Sequence, residues 1–188
     1  MTDEETIERI EASLELDEDE LQAELPKILD DVDGQTEALM RENPDVFAKV
    51  VGRMEEIDVA EFVNEAPEAA DQFQELLWTG VQLMVENDEE LQEDIATDIV
   101  ANFEATDCPM TGHLETDADA QTVRGGAGLV DDPDLTLTGP ADTLVALITG
   151  GIDPVQGFMT QEYQLDGSVQ KGTQLASVMG SLTEQVPS

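Results

Sequence analysis

The spacing of apolar residues changes near residue 99, and this limits the chain to folds in which helices precede strands. Up to that point the apolar residues recur every three or four positions. Ile7, Ile10 and Leu14 form one stripe; Leu21, Leu25, Ile28 and Leu29 form another, expected to break near Pro26. Asn43 followed by Pro44 reads as an N-cap with proline at the first helical position, and Phe47, Val50, Val51 and Met54 follow as a stripe. Pro67 opens a longer helix in which Phe73, Leu76, Leu77, Gly80 (or Val81) and Met84 share a face, and Leu91, Ile95 and Ile99 continue at spacing four. Only three of the 14 glycines fall in residues 1–98 (Gly34, Gly52, Gly80).

The remainder alternates. Ile99, Ala101, Phe103 and Ala105 fall on one side of a strand, unless Ile99 ends the preceding helix. Leu114 lies in a polar strand or hairpin, Thr122 to Val130 in a glycine-interrupted strand, and Leu135 and Leu137 in a clear alternating strand. A helix from Pro140 to Thr149 points Leu144, Leu147 and Ile148 inward and ends at Gly150-Gly151. Asp153-Pro154 starts a helical turn carrying Val155, Phe158 and Met159, and Glu162 to Gly167 is a strand with Tyr163 and Leu165 on one face. Leu175, Val178, Met179, Leu182 and Val186 trace the stripe of a closing helix. Strands followed by helices that cover them predict an α+β layer with a mainly antiparallel sheet.

Charge excludes one function class. The 188 residues contain 45 Asp or Glu against 7 Lys or Arg, a net charge of -38. Seven scattered bases cannot neutralise nucleic-acid phosphates, so direct nucleic-acid binding is excluded. The acids run along the whole chain, with 32 in residues 1–100 and 13 in residues 101–188, so they are not an acidic tail. In molar salt the Debye length is only about 3 Å, and a carboxylate-covered surface is tolerated. A very salty cytoplasm explains the charge better than mimicry of nucleic acid does. The N-terminus is acidic where a secretory signal would be basic, and the most apolar run, Leu144 to Ile152, is too short and broken to span a bilayer. The expected location is cytoplasmic.

Few residues suit catalysis or metal binding. Cys108 is the sole cysteine and His113 the sole histidine; with Met110 they lie within six residues, but a structural zinc site needs about four ligands. A nucleophile activated by histidine would have to use His113, and no neighbouring motif favours it. No enzyme activity, cofactor or metal is expected. Gly125-Gly-Ala-Gly128 completes no phosphate-binding motif and reads as a bend or bulge in a strand. The acidic runs Asp17 to Glu20 and Asp88 to Glu90 read as solvated helix starts. Trp78 reads as packing.

Three segments occur in a telling order: Asp132-Pro-Asp-Leu-Thr-Leu-Thr-Gly-Pro140 with the helix after it, Thr149-Gly-Gly-Ile-Asp-Pro154, and Gly157-Phe-Met-Thr-Gln-Glu-Tyr-Gln-Leu-Asp-Gly167. In order and spacing they resemble the sterol carrier protein 2 (SCP-2) family, over roughly 99–183 and more weakly over the helices from 44, with the acidity of a haloarchaeal member. Gly151 and Glu162 stand where that family usually has lysine, Gly157 where it has alanine, and Gln161 where it has glycine. The two missing lysines remove positive charge that would have met an anionic lipid head. The resemblance implies a lipid-binding domain over 44–188, with a five-stranded sheet whose helices enclose an apolar tunnel, and leaves residues 1–43, read as helices from their spacing, as an N-terminal extension.

The resemblance also implies the tunnel's walls: Phe158, Met159, Leu175, Val178, Met179 and Leu182 first, with Phe103, Leu135, Leu137, Leu144, Leu147, Ile148, Tyr163 and Leu165. Taken one by one, helical periodicity alone makes these residues core. The implied function is non-catalytic binding, and transfer within the cell, of a fatty acyl, isoprenoid or sterol-like lipid, with transient membrane or protein contact. The chain's end, Gln185-Val-Pro-Ser188, is not a peroxisomal address. The alternative is an adaptor or accessory subunit of lipid metabolism that contacts a protein partner through residues 1–98. Which lipid binds, whether the tunnel is open, the oligomeric state and the role of residues 1–43 are not fixed by the sequence.

Overall fold

The computed structural model describes residues 3–54, 56–149 and 151–185. Seven helices come first: α1 (Glu4–Leu14), α2 (Glu18–Val32), α3 (Thr36–Glu42), α4 (Pro44–Met54), α5 (Val59–Glu65), α6 (Pro67–Glu86) and α7 (Glu89–Asp94). Aspartates start several of them. The carboxylates of Asp17, Asp58 and Asp88 accept the backbone N–H of Glu20, Glu61 and Glu90 at 3.0, 2.9 and 2.9 Å, which satisfies first-turn donors that would otherwise lack partners. The acidic runs therefore do local work as well as coating the surface. Helix α2 does not break at Pro26 but runs through it, because Leu21, Leu25, Ile28, Leu29 and Val32 all bury on one side. In α4, Val46 joins the buried stripe and Phe47 sits only partly buried.

Strands β1 (Ile99–Ala105), β2 (Thr111–Asp117), β3 (Thr122–Ala127), β4 (Leu135–Gly139) and β5 (Gln164–Gly167) form a five-stranded sheet in the order β3-β2-β1-β4-β5. Neighbours are antiparallel except β1 and β4, which run parallel. Between β4 and β5 lie α8 (Ala141–Thr149) and α9 (Pro154–Met159), and α10 (Val169–Gln185) closes the chain. The expected α+β class and mainly antiparallel sheet are both present. Ile99 begins β1 and does not end a helix.

The register puts Ile99, Ala101, Phe103, Leu114, Val123, Leu135, Leu137 and Leu165 on one face of the sheet. Helix α6 covers β3, while α8 and α10 cover β4. The opposite face carries Glu104, His113, Glu115, Arg124, Thr136 and Asp166. Helix α6 has buried residues almost all round, including Phe73, Gln74, Leu77, Trp78, Val81 and Val85, because α2, α3 and α5 pack on it from the side away from the sheet. Residues 1–43 thus share one continuous core with the rest of the chain, from Ile10 to Met179.

The glycine run forms no bulge. Gly125 pairs with Leu114 in an unbroken β2–β3 register, and a Cβ at Gly125 would overlap the Trp78 ring. The glycine lets α6 lay its indole directly on the strand. Trp78 is 2 % exposed, with its ring centroid 5.9 Å from that of Phe103.

Candidate functional site

The far half of the same sheet face is covered differently. β4 supplies Leu137 and, across the register, β5 supplies Leu165. Tyr163 stands just before β5, and Leu147 projects from α8. Helix α10 lies over them with Gly172, Leu175, Ala176 and Met179, a stripe at helical spacing, and Pro154 of α9 closes one end. These side chains line a gap of about 20 Å³. That holds a water or two, whereas a site occupied by a small molecule is on the order of 300–1,000 Å³. An apolar tunnel was expected here, open or closed being left undecided; in the described residues these side chains close on one another and leave only this gap.

The closure has a local cause. A Cβ at Gly172 would overlap Leu165 Cδ1, so glycine lets the first turns of α10 descend onto β5. The gap is chemically uniform. Its only side-chain polar atom is the Tyr163 hydroxyl, which donates to the Pro154 carbonyl at 2.6 Å. Burial, with the negative charge of Asp153 adding to it, pushes the Tyr163 phenol up from its ordinary pKa, so it stays a neutral donor.

Helix α10 is tied down at both ends of its described length. Lys171 Nζ lies 2.8 Å from Asp134 Oδ1, while Asp134 Oδ2 accepts the Val100 N–H at 2.9 Å. The Ser181 hydroxyl donates to Asp94 of α7. The hydrogen bond from Lys171 holds the Asp134 carboxyl below the usual carboxylate range. Between these ties the helix is weakly built, with Gly172 in its first turns and Gly180 near its end, and glycine inside a helix costs about 1 kcal/mol relative to alanine.

Of the fourteen residues expected to form walls, Leu137, Leu147, Tyr163, Leu165, Leu175 and Met179 line the gap. Leu135, Leu144, Ile148 and Val178 are buried in the surrounding core without lining it, and Phe103 packs under Trp78. The side chain of Leu182 lies outside the described residues, as do Gly150 and Val186. Phe158, whose ring centroid lies 6.2 Å from that of Tyr163, and Met159 do not line the gap. They are 45 % and 77 % exposed, because α9 is a helix of six residues that buries Pro154 and Gly157 and turns its other side to solvent. Pro154, Gly172 and Ala176 were missed. The last two sit in the α10 stripe, but Gly and Ala leave no mark in an apolar pattern.

The Cys108 and His113 region forms no site of this kind. His113 Nδ1–H donates to the Gly128 carbonyl at 3.0 Å on the helix-free face of the sheet. Burial pushes the Cys108 thiol up, and Asp107 beside it adds to the shift, so it is a poor thiolate. Among the described residues no three His, Cys, Asp or Glu side chains gather to hold a metal. A larger cleft of about 510 Å³ between α1 and α4 is open and lined by Glu11, Glu15, Lys49, Arg53 and Glu56, a surface suited to water. No described helix is long and apolar enough to cross a membrane.

The profile of the SCP-2 sterol transfer family matches residues 82–180. Among solved structures, the sterol carrier protein domain 2 of Helicoverpa armigera is 19% identical, with a TM-score of 0.42, over 59% of this chain and 88% of that one. Sterol carrier protein 2 of Yarrowia lipolytica, in its apo form, is 17% identical with a TM-score of 0.44, over 60% of this chain and 94% of that one. A sec-alkylsulfatase from Pseudomonas sp. is 15% identical with a TM-score of 0.42, over 93% of this chain but 29% of that enzyme. No curated protein sequence matches.

Proposed function

The chain belongs to the SCP-2 sterol transfer family, a family of lipid-binding domains, and on that premise we propose that it binds one long apolar lipid, without catalysing its conversion, between the sheet and α8, α9 and α10. The lipid has a fatty acyl, isoprenoid or sterol-like body, and the protein carries it within a salt-rich cytoplasm. The observation behind this reading is the make-up of the gap: residues from five elements converge on it, and none presents a free polar group.

The described state is closed, so binding requires a wall to move, and α10 is the wall most easily moved. Its hold on the sheet is a stripe of Gly172, Leu175, Ala176 and Met179, with the Lys171–Asp134 pair at its first turn. A ligand that entered under it would cover the same apolar surface that the helix had covered, so little hydrophobic burial is lost on opening. Each methylene moved from water contributes about 0.8 kcal/mol. Micromolar affinity needs about 8.2 kcal/mol net, and ordering and association costs come on top. A chain well beyond about ten carbons, or an isoprenoid of like bulk, meets that demand.

The adaptor alternative would be favoured by a long exposed apolar face on residues 1–98. The exposed large apolar residues among those described are Leu129, Val155, Phe158, Met159 and Val169, all later in the chain. The division into an extension over 1–43 and a lipid-binding domain over 44–188 remains part of the proposal. Organic extraction of protein purified in molar KCl, with displacement of a bound fluorescent lipid, tests the carrier reading. Recovered lipid in near-stoichiometric amount supports it; no lipid and no binding of added probe would refute it.

A further inference from the structure

We infer that the lipid has an uncharged polar end, as in an isoprenoid alcohol, a quinone or a sterol-like molecule, and that free fatty acids and other anionic amphiphiles are discriminated against. This rests on the carrier reading and narrows its ligand.

The first ground is the interior. Leu137, Leu147, Leu165, Leu175 and Met179 offer hydrocarbon and thioether, and the Tyr163 hydroxyl already donates its one hydrogen bond to the Pro154 carbonyl at 2.6 Å. A carboxylate drawn inside would find no free donor and no cation among the side chains that line the gap. Its desolvation without a partner costs far more than that of a hydroxyl or ketone.

The second ground is the rim. The segment that forms β4, α8, α9, β5 and α10, residues 131–188, carries eight acids and one base. Asp153 and Glu162 stand next in sequence to Pro154 and Tyr163 of the gap. The single base, Lys171, is held 2.8 Å from Asp134. If Lys171 turned to a ligand carboxylate, Asp134 would lose its counter-charge, so one ion pair would replace another with no net gain.

The third ground is where the other cations lie. Arg9, Lys27, Arg41, Lys49 and Arg53 are on α1 to α4 and pair with Asp31, Glu24, Glu37, Glu11 and Glu56. Arg124 is on β3, the sheet edge opposite β5, and on the face without helices. Neither group is placed to neutralise a head at the gap. Molar salt screens the rim acids, because the Debye length falls to about 3 Å, but it does not reach a buried carboxylate. Discrimination should therefore persist at high salt.

The test compares two probes with one hydrocarbon chain: parinaric acid and its methyl ester, titrated by fluorescence into the full-length protein in molar KCl at about pH 8, where the acid is ionised. The ester should bind at least about tenfold tighter, and acidification toward the carboxyl's own pKa should bring the acid up to the ester's affinity. If the acid binds as tightly as the ester at about pH 8, the inference falls and the carrier reading stands. If neither probe binds, the carrier reading falls and takes the inference with it.

Discussion

Lys171 Nζ lies 2.8 Å from Asp134 Oδ1, and this pair joins the first turn of α10 to the start of β4. Asp134 also accepts the Val100 N–H, so one carboxylate connects two strands and a helix. Lysine near a helix N-terminus opposes the helix dipole, and the pair offsets that penalty. Because both side chains are about a third exposed, with 31% accessibility each, the pair contributes little. Lys171→Met should therefore lower stability at neutral pH by less than about 1 kcal/mol. The sign of the pH dependence follows from the lowered pKa of Asp134. Its stabilisation is full above the ordinary aspartate value of about 3.9 and is lost as pH falls through the lowered folded-state value. Denaturant unfolding at stepped pH should show wild type and variant converging on the acid side; a gap that stays constant to the lowest pH would contradict the assignment.

Gly125 lies directly beneath the Trp78 ring. Gly125→Ala forces the buried indole to shift, at a cost of about 1–3 kcal/mol. Trp78 is the only tryptophan, so its fluorescence reports on this one buried site. A lower unfolding midpoint with an altered emission spectrum is expected. An unchanged spectrum and midpoint would mean that α6 does not need a glycine there.

How much of this was legible in the sequence depended on which physical signal each residue leaves. Stripes such as Leu21, Leu25, Ile28 and Leu29 and alternations such as Leu135 and Leu137 announced buried faces, and they are buried. Six gap-lining residues were legible for the same reason, since large apolar side chains mark an inward face. Glycine gave the wrong signal twice. Gly125 looked like a strand defect, when it is a place of close approach, and Gly172 carried no signal, although it sets how far α10 descends. Phe158 and Met159 misled because α9 is too short for its periodicity to say which side is buried. The size of the gap was not legible, because it depends on the fit between β5 and α10, not on the composition of either.

Wall and surface can be separated by two substitutions. Ala176 lines the gap and Met159 is 77 % exposed. Ala176→Phe should fill the space a lipid needs and weaken probe binding by about tenfold or more, with a stability change of about 1–3 kcal/mol. Met159→Gln should leave affinity unchanged and stability within about 0.5 kcal/mol. Equal loss of binding in both would contradict the assignment of the wall to α10.

Salt should be required for folding. A net charge of -38 on a chain of 188 residues is self-repelling unless screened. As KCl is dialysed from molar concentration to dilute buffer, circular dichroism should lose its helical signal. A spectrum that is unchanged in dilute buffer would show that the acidity is not an adaptation to salt.

The most direct measurement of the central claim is methyl NMR of the protein during titration with a long-chain lipid ester. The methyl resonances of Leu137, Leu147, Leu165, Leu175 and Met179 should shift and saturate together, while those of Leu14, Val46 and Val50 in the N-terminal helices stay in place. Saturating lipid that leaves the first group unmoved, or that moves the second group, would contradict a lipid site under α10.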